Sequence, residues 1–140
     1  MKKRTALFLA TLLIAAGVGF AGDNPLVGTW EIVSVTGTAA DGEEEELHAR
    51  KDGFRSIKIY GKTHYAVVSH AADGTFSNAS AGSYVVKDKT FEETLKNSSN
   101  PEGVGKTYVH EFSVSGDLLT NSFVNPVNGN KAKEVWKRVK

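Results

Sequence analysis

Three ionisable side chains, those of Glu93, His110 and Glu134, stand in segments where apolar and polar residues alternate. In a β-strand such alternation places every second residue on one face, because successive side chains point to opposite sides. Each of the three shares its face with a large ring two residues away, and these rings are Phe91, Phe112 and Trp136. Taking the ring-bearing faces as the interior, we predict a core that contains two carboxylates and an imidazole.

Such a mixed interior indicates ligand binding. Buried ionisable groups are costly, so they pair with one another, contact water or contact a ligand. A ligand cavity is mostly apolar and carries a few placed polar groups, which fits this pattern. The alternative is a structural ion pair between Arg138 and one of the carboxylates. The side chains that we predict to contact a ligand are those of His64, Glu93, Tyr108, His110 and Glu134.

No catalytic signature accompanies these residues. The sequence has no Cys, which excludes a thiol nucleophile, and it has no Gly-x-Ser-x-Gly elbow, phosphate loop or dinucleotide fingerprint. Glu92 and Glu93 point to opposite faces of their strand and cannot act as an acid–base pair. We therefore predict a protein that is not an enzyme. A barrel isomerase or lyase that uses His64, Glu93 or His110 is the weakest alternative.

Metal binding is not expected either. His64, His110 and Glu93 would form a two-histidine, one-carboxylate set only if they met across a barrel interior. Dispersed histidines are more often surface or hydrogen-bonded core residues. The acidic run Glu43–Glu46 lacks the alternating spacing and the glycine of a calcium loop. We predict no metal site, no cofactor and a solvated acidic loop.

The elements that position these residues are predicted to be strands. Short alternating runs rich in Val, Ile, Thr, Tyr and Phe are separated by turn residues, which favours an antiparallel meander. Eight strands in one small domain favour closure into an up-and-down barrel, since closure removes exposed edges; a two-sheet sandwich is the alternative. The predicted strands are Leu26–Val35, Phe54–Tyr60, His64–Ser69, Gly82–Lys87, Thr90–Lys96, Lys106–Ser115, Leu118–Val124 and Lys131–Val139.

Two of the connections between the predicted strands are longer than a tight turn, and they are Thr38–Gly53 and His70–Ala81. The first contains the acidic run and could hold one helical turn, because acidic residues are favourable at a helix N-terminus. We expect the first connection, alone or together with the second, to surround the entrance of the barrel.

The first residues predict export. Basic residues at positions 2–4 precede the apolar run Thr5–Phe20, and Ala21 is the small residue that a signal peptidase needs. We predict a signal peptide over residues 1–21, cleaved after Ala21, and a single domain over residues 22–140. The mature protein is then expected in the periplasm or outside the cell.

The charge and hydropathy of residues 22–140 exclude two classes of partner. The chain has 17 Lys and Arg against 16 Asp and Glu, and three of the basic residues lie in the predicted signal peptide. A slightly acidic domain without a basic cluster is not expected to bind nucleic acid. No second apolar run is present, so no membrane span is expected after cleavage.

The motif Gly28-Thr29-Trp30, at the start of the first predicted strand, resembles the first signature of the lipocalin superfamily. Further stretches are similar to an exported lipocalin-like family of unknown function from Gram-negative bacteria. Taken in order with the first motif, they span nearly the whole mature chain, although a second lipocalin motif and a disulfide are missing. The stretches are residues 58–60 with 63–68, residues 98–102 with 105–108, and residues 134–139.

The resemblance implies an eight-stranded barrel with one closed end, where Trp30 packs beneath Arg138 next to Gly28. It also implies a carrier of a small amphipathic or hydrophobic ligand in the barrel interior. The rival hypothesis is a filled barrel that acts as an interaction module and contacts an envelope protein or a glycan. The sequence leaves the oligomeric state open.

Overall fold

The structure is a computed structural model that describes residues 23–38 and 41–140. The predicted signal peptide and its cleavage site lie outside the described residues. Within those two ranges the helical segments are two 3₁₀ turns, Arg50–Asp52 and Pro101–Gly103. The strands there are β1 (Gly28–Thr38), β2 (Glu44–Ala49), β3 (Arg55–Tyr60), β4 (His64–His70), β5 (Phe76–Lys87), β6 (Thr90–Ser98), β7 (Thr107–Ser115), β8 (Leu118–Val124) and β9 (Lys131–Arg138).

Eight of these strands form a closed antiparallel barrel. From β3 to β9, each strand pairs with the next one in the sequence, and β9 returns to pair with β1, which also pairs with β3. The predicted eight-stranded up-and-down barrel is confirmed. The two-sheet sandwich is excluded, because the pairing of β1 with β9 closes a single sheet on itself.

Strand β1 belongs to the closed barrel and also pairs with β2, a short strand outside it. Residues 28–31 pair with β3, whereas residues 34–38 pair with β2, and β9 pairs along the opposite edge. A bulge separates the two halves, where Val33 and Ser34 stand opposite the single residue Val135. The extra residue keeps both Ile32 and Val35 on the inner face, where they line the cavity described below.

The acidic segment is a strand and not the predicted loop. Residues 44–49 form β2, which pairs with β1 with one irregularity of register. The helical turn that follows is made by Arg50–Asp52, so the acidic residues precede it in extended structure and do not stand at its N-terminus. The exposed glutamates do not alternate with apolar residues, so the sequence did not predict a strand here. The strand is held by its backbone pairing with β1.

The second long connection is also shorter than predicted. Strand β5 begins at Phe76, six residues before the predicted start at Gly82, and only residues 71–75 connect it to β4. Its first half is made of small polar residues, which β4 holds in register. A bulge follows at Gly82, where a Cβ atom would lie 1.9 Å from the carbonyl oxygen of Thr94. Only glycine permits this approach of two backbones.

The apolar core fills the half of the barrel around Trp30. The ring of Tyr60 packs edge-on against Tyr84 and Phe91, at centroid distances of 4.9 and 6.0 Å. Leu119 closes the same layer and is fully buried. The other half of the barrel is not filled by these side chains, and it contains the cavity. Within the described residues, no helix has the length and hydropathy needed to cross a membrane.

Candidate functional site

The filled end of the barrel is closed by Trp30, whose side chain is fully buried. The guanidinium of Arg138 lies over this indole, with its Cζ atom 4.1 Å from the ring centroid. The same guanidinium donates hydrogen bonds to the carbonyl oxygens of Val27 and Pro25, at 2.8 and 2.9 Å. A Cβ atom at Gly28 would lie 2.6 Å from Nη1 of Arg138. This end has the arrangement that the lipocalin resemblance implies.

The opposite end opens into a cavity of about 320 Å³. The floor of the cavity is formed by four ionisable side chains, those of Lys58, Glu93, His110 and Glu134. Nearer the mouth the lining carries hydroxyl groups from Ser56, Ser69 and Ser80, between apolar side walls. The apolar residues of the lining are Ile32, Val35, Phe54, Val67, Leu95, Phe123 and Trp136.

An ion pair crosses the floor of this cavity. Nζ of Lys58, on β3, lies 3.3 Å from Oε1 of Glu93, on β6, and both side chains are 6% exposed. Tyr60 donates its hydroxyl hydrogen to the same oxygen of Glu93. Burial alone would raise the pKa of Glu93, but the ammonium of Lys58, together with the Tyr60 hydroxyl, outweighs burial and holds this pKa below its usual range. Glu93 is therefore a carboxylate at any physiological pH.

Lys58 is held between carboxylates and aromatic rings. Its Nζ lies 3.9 Å from Oε2 of Glu134 and 5.0 Å from the ring centroid of Trp136. Burial acts to lower the pKa of Lys58, but the charges of Glu93 and Glu134 outweigh it, so the pKa is raised. The lysine therefore stays protonated and is a poor nucleophile.

Glu134 is held by hydrogen bonds rather than by a full ion pair. Its Oε2 accepts from Nε1 of Trp136 at 2.9 Å and from Nδ2 of Asn121 at 3.1 Å. Because a carboxylate can only accept here, the amide nitrogen of Asn121 must face Glu134. The same nitrogen lies 3.0 Å from Nδ1 of His110, so it donates its second hydrogen to that ring atom.

This amide fixes the tautomer of His110. Nδ1 accepts from Asn121 and therefore carries no proton, which leaves the proton on Nε2 and the ring neutral. Nε2 is buried and lies 3.4 Å from Oε2 of Glu93, but it makes no hydrogen bond. The ring is stacked on Phe91, with centroids 4.3 Å apart and planes inclined by 7°. His110 is therefore a neutral part of the cavity floor, oriented by Asn121 and by its stacking on Phe91.

Four of the five residues expected to contact a ligand line this one cavity: Glu93, Tyr108, His110 and Glu134. The expectation that His64 lies inside the barrel is wrong. Its side chain is exposed on the outer face, where Nδ1 lies 2.8 Å from the hydroxyl of Thr63. The adjacent ring of Tyr65 occupies the interior instead, and two neighbours in a strand cannot share a face.

The predicted alternative of an ion pair made by Arg138 is also wrong, because the guanidinium binds backbone carbonyls at the closed end. The cation of the floor is Lys58, which was not among the site residues predicted from the sequence. Lys58 shares its parity with Tyr60, so the rule that ring-bearing faces point inward would have placed it inside. Asn121 shares its face of β8 with the ring of Phe123, but its role in orienting His110 gave no sequence signal.

Within residues 23–38 and 41–140, no three His, Asp or Glu side chains converge closely enough to hold a metal ion. The groups of the floor can offer carboxylate acceptors and one ammonium to a bound molecule. The serines can both donate and accept hydrogen bonds. The arrangement is thus suited to recognising a small polar group at the bottom of a partly apolar cavity.

Comparison with known proteins gives one matching family and similar solved structures. The profile of a family described as a domain of unknown function (DUF4488) matches residues 25–140. The chain is similar in structure to a lipocalin-like protein from Bacteroides uniformis ATCC 8492, with a TM-score of 0.52 and 18% identity, over 81% of this chain and 98% of that chain.

A second solved structure gives a similar result. It is an uncharacterized protein from Bacteroides eggerthii DSM 20697, with a TM-score of 0.52 and 13% identity, over 81% of this chain and 99% of that one. At these identities the likeness establishes the fold alone. No curated protein sequence matches the chain.

Proposed function

Because the chain belongs to the DUF4488 family and folds as a lipocalin-like barrel, we propose that it binds a small molecule in the barrel interior. The observation that carries this proposal is the cavity, which reaches from the open end to the four ionisable residues of the floor. Its volume of about 320 Å³ lies at the lower end of the range of ligand pockets. It equals the volume of roughly ten water molecules.

The lining favours an amphipathic ligand. The polar end of the ligand would contact the carboxylates of Glu93 and Glu134, and hydroxyl groups could bind to the serines above them. The apolar body would pack against Val67, Leu95 and Phe123. A filled barrel that serves only as an interaction module would not need such a cavity.

The ionisable residues of the floor favour ligand binding over catalysis. A general acid or base works well when its pKa lies near the operating pH. The pKa of Glu93 is lowered, and the pKa of Lys58 is raised. Neither group exchanges its proton near neutral pH, so both are suited to holding a ligand.

We also propose that binding takes place in the periplasm or outside the cell. This part of the proposal rests on the signal-peptide pattern of residues 1–21. A carrier in that compartment would bind a molecule that is present in the envelope or the medium. Contact with another envelope protein would be secondary to ligand binding.

Native mass spectrometry of protein purified from its own host tests the proposal. We expect a small molecule that stays bound in the gas phase and is released on unfolding. A protein that carries no small molecule but retains a protein partner would instead support the interaction module.

A matched pair of variants locates the binding site. Val67→Trp fills the cavity, because Val67 lines it, whereas the adjacent Val68 is 40% exposed on the outer face. We expect Val67→Trp to abolish ligand retention and Val68→Trp to preserve it. Equal retention by both variants would place the ligand outside the barrel.

A further inference from the structure

The floor of the cavity carries one negative charge that no cation of the lining balances. Among the residues that line the cavity, Lys58 provides the single permanent positive charge, while Glu93 and Glu134 each provide a negative one. Both carboxylates share this ammonium, at 3.3 and 3.9 Å. A buried charge without a partner is costly, so the floor is electrostatically incomplete without a further cation.

The other titratable side chains of the lining do not supply that cation. His110 is neutral, because its Nδ1 accepts a hydrogen bond from Asn121. Tyr108 is neutral, and burial raises the pKa of its hydroxyl. His48 lies at the mouth, stacked on Phe54 at a centroid distance of 4.3 Å, with its residue exposed to solvent. The surplus negative charge therefore belongs to the floor itself.

Two carboxylate oxygens of the floor are also free to accept. The hydrogen bonds to Glu134 all end on Oε2, so Oε1 accepts none from the described residues. The hydrogen bonds to Glu93 end on Oε1, and Oε2 has only the poorly aligned Nε2 of His110 beside it. An ionised carboxylate has about four acceptor sites, so both residues have capacity left for a bound donor.

We propose that the polar end of the ligand is a positively charged nitrogen group with several N–H donors, such as a protonated amine, bound by Glu93 and Glu134. This inference rests on the proposed function, because it concerns the ligand of the same cavity. Such a group supplies both the missing charge and the missing donors, and charge-assisted hydrogen bonds are the stronger kind. The ring of Trp136 beside the carboxylates adds a face that attracts cations.

The competing ligand chemistries fit the floor less well. An anion would bring a third negative charge to a site where Lys58 is already shared by two carboxylates. The ammonium is also enclosed by the rings of Tyr60, Tyr65 and Trp136, at 5.0 to 5.8 Å, which restricts the approach of another partner. A neutral polyol could bind to the serines but would leave the surplus charge in place.

Three probes of nearly equal shape test the inference: benzylamine, benzyl alcohol and benzoate, which are positive, neutral and negative at pH 7. Protein freed of any ligand by refolding is titrated with each probe, and NMR follows the indole N–H of Trp136, which donates to Glu134. We expect benzylamine to bind about tenfold or more tightly than the other two, as a charge-assisted hydrogen bond predicts. We also expect it to shift the Trp136 signal.

Two variants of matched chemistry complete the test. Glu134→Gln keeps the shape of the side chain and removes one negative charge, so the preference for benzylamine should fall about tenfold or more. Glu92→Gln removes a carboxylate from the outer face, where it pairs with Lys87 at 2.7 Å, and should keep the preference. Glu134 is used because Glu93→Gln is expected to reduce stability.

Different experimental results would contradict the cationic ligand and the proposed function. Binding of benzoate or benzyl alcohol as tight as that of benzylamine, or no binding of benzylamine, overturns the cationic ligand. Retention of a ligand without a protonated nitrogen from the host also overturns it but leaves the proposed function intact. The proposed function itself fails if host-purified protein is empty and none of the three probes binds.

Discussion

Lys58 and Glu93 form an ion pair across the lumen of the barrel, with Nζ and Oε1 3.3 Å apart and both side chains 6% exposed. Strand β3, which carries Lys58, pairs with β1 and β4, whereas β6, which carries Glu93, pairs with β5 and β7. The two strands are therefore not neighbours, and the pair links separate parts of the wall through the interior. It fixes the depth at which the cavity ends.

Removing either partner of this pair should destabilise the barrel strongly. Lys58→Met and Glu93→Gln are each expected to lower the free energy of unfolding by ~3–5 kcal/mol, because Lys58→Met leaves two buried carboxylates without a cation and Glu93→Gln removes the nearer of the two carboxylates that hold the ammonium. The double variant should lose less than the sum of the two single losses. Urea unfolding measures all three, and Glu92→Gln, in an exposed pair, should cost ~1 kcal/mol or less. A Glu93→Gln variant as stable as the parent would remove the structural role of the pair.

Acid should weaken the fold through Glu93. The pKa of this carboxyl is lowered in the fold from an ordinary value of 4.5, chiefly by the ammonium of Lys58. A lowered pKa stabilises the folded state above the unfolded pKa, and this contribution is lost as pH falls through the pKa of the folded state. We expect the contribution to the free energy of unfolding to be on the order of 2 kcal/mol, and Glu93→Gln should make that free energy, measured by urea unfolding, less dependent on pH. Parallel curves for parent and variant would contradict the assignment.

The closed end should depend on the contact between Trp30 and Arg138. Trp30→Ala is expected to cost ~3–5 kcal/mol as a large truncation in the core. Arg138→Lys should cost less but remain measurable, because an ammonium cannot stack on the indole and bind two carbonyl groups at once. Lys137→Ala, at the exposed neighbouring position, serves as the control in urea unfolding. Unchanged midpoints for both closed-end variants would show that this contact does not stabilise the barrel.

Gly82 should tolerate no side chain. A Cβ atom there would lie 1.9 Å from the carbonyl oxygen of Thr94, so Gly82→Ala must push two paired strands apart. We expect a loss of more than ~3 kcal/mol or failure to fold, as for other severe strains. Gly61→Ala is the control, because its Cβ would meet the nearest atom at an ordinary 3.5 Å. Circular dichroism and urea unfolding of the two variants should differ clearly.

Export should remove the first residues of the chain. Protein recovered from the envelope or the medium is expected to begin at or within a couple of residues of Gly22, by N-terminal sequencing. Ala21→Trp should block processing, because a signal peptidase needs a small residue at that position. An intact Met1 on envelope-extracted protein would contradict the predicted signal peptide.

Most of the barrel could be predicted because its strands follow a period of two. All eight predicted strands are present, and the ring-bearing faces of β6, β7 and β9 point inward as expected. Strand β2 gave no such signal, since its glutamates are all exposed and its place depends on pairing with β1. The same holds for the first half of β5, where small polar residues are held by β4.

The candidate site could be predicted in part. Parity placed Glu93, His110 and Glu134 on inner faces, but it could not show which strands meet across the lumen. His64 was placed inside although the ring of Tyr65 takes that face of β4. Lys58 was overlooked because a lysine in a strand is usually exposed, and its burial requires the two carboxylates of β6 and β9.

The pairing of β1 with β9 has a consequence for how the protein is made. Among the strands of residues 23–38 and 41–140, β1 is synthesised first and β9 last, yet they are neighbours over eight residue pairs. A growing chain therefore exposes the inner face of β1 until almost the whole domain has left the ribosome. Closure joins distant parts of the chain, so we expect it to be a late and slow step of folding. A chain that stops before β9 would present two open sheet edges, which is the state most prone to aggregation.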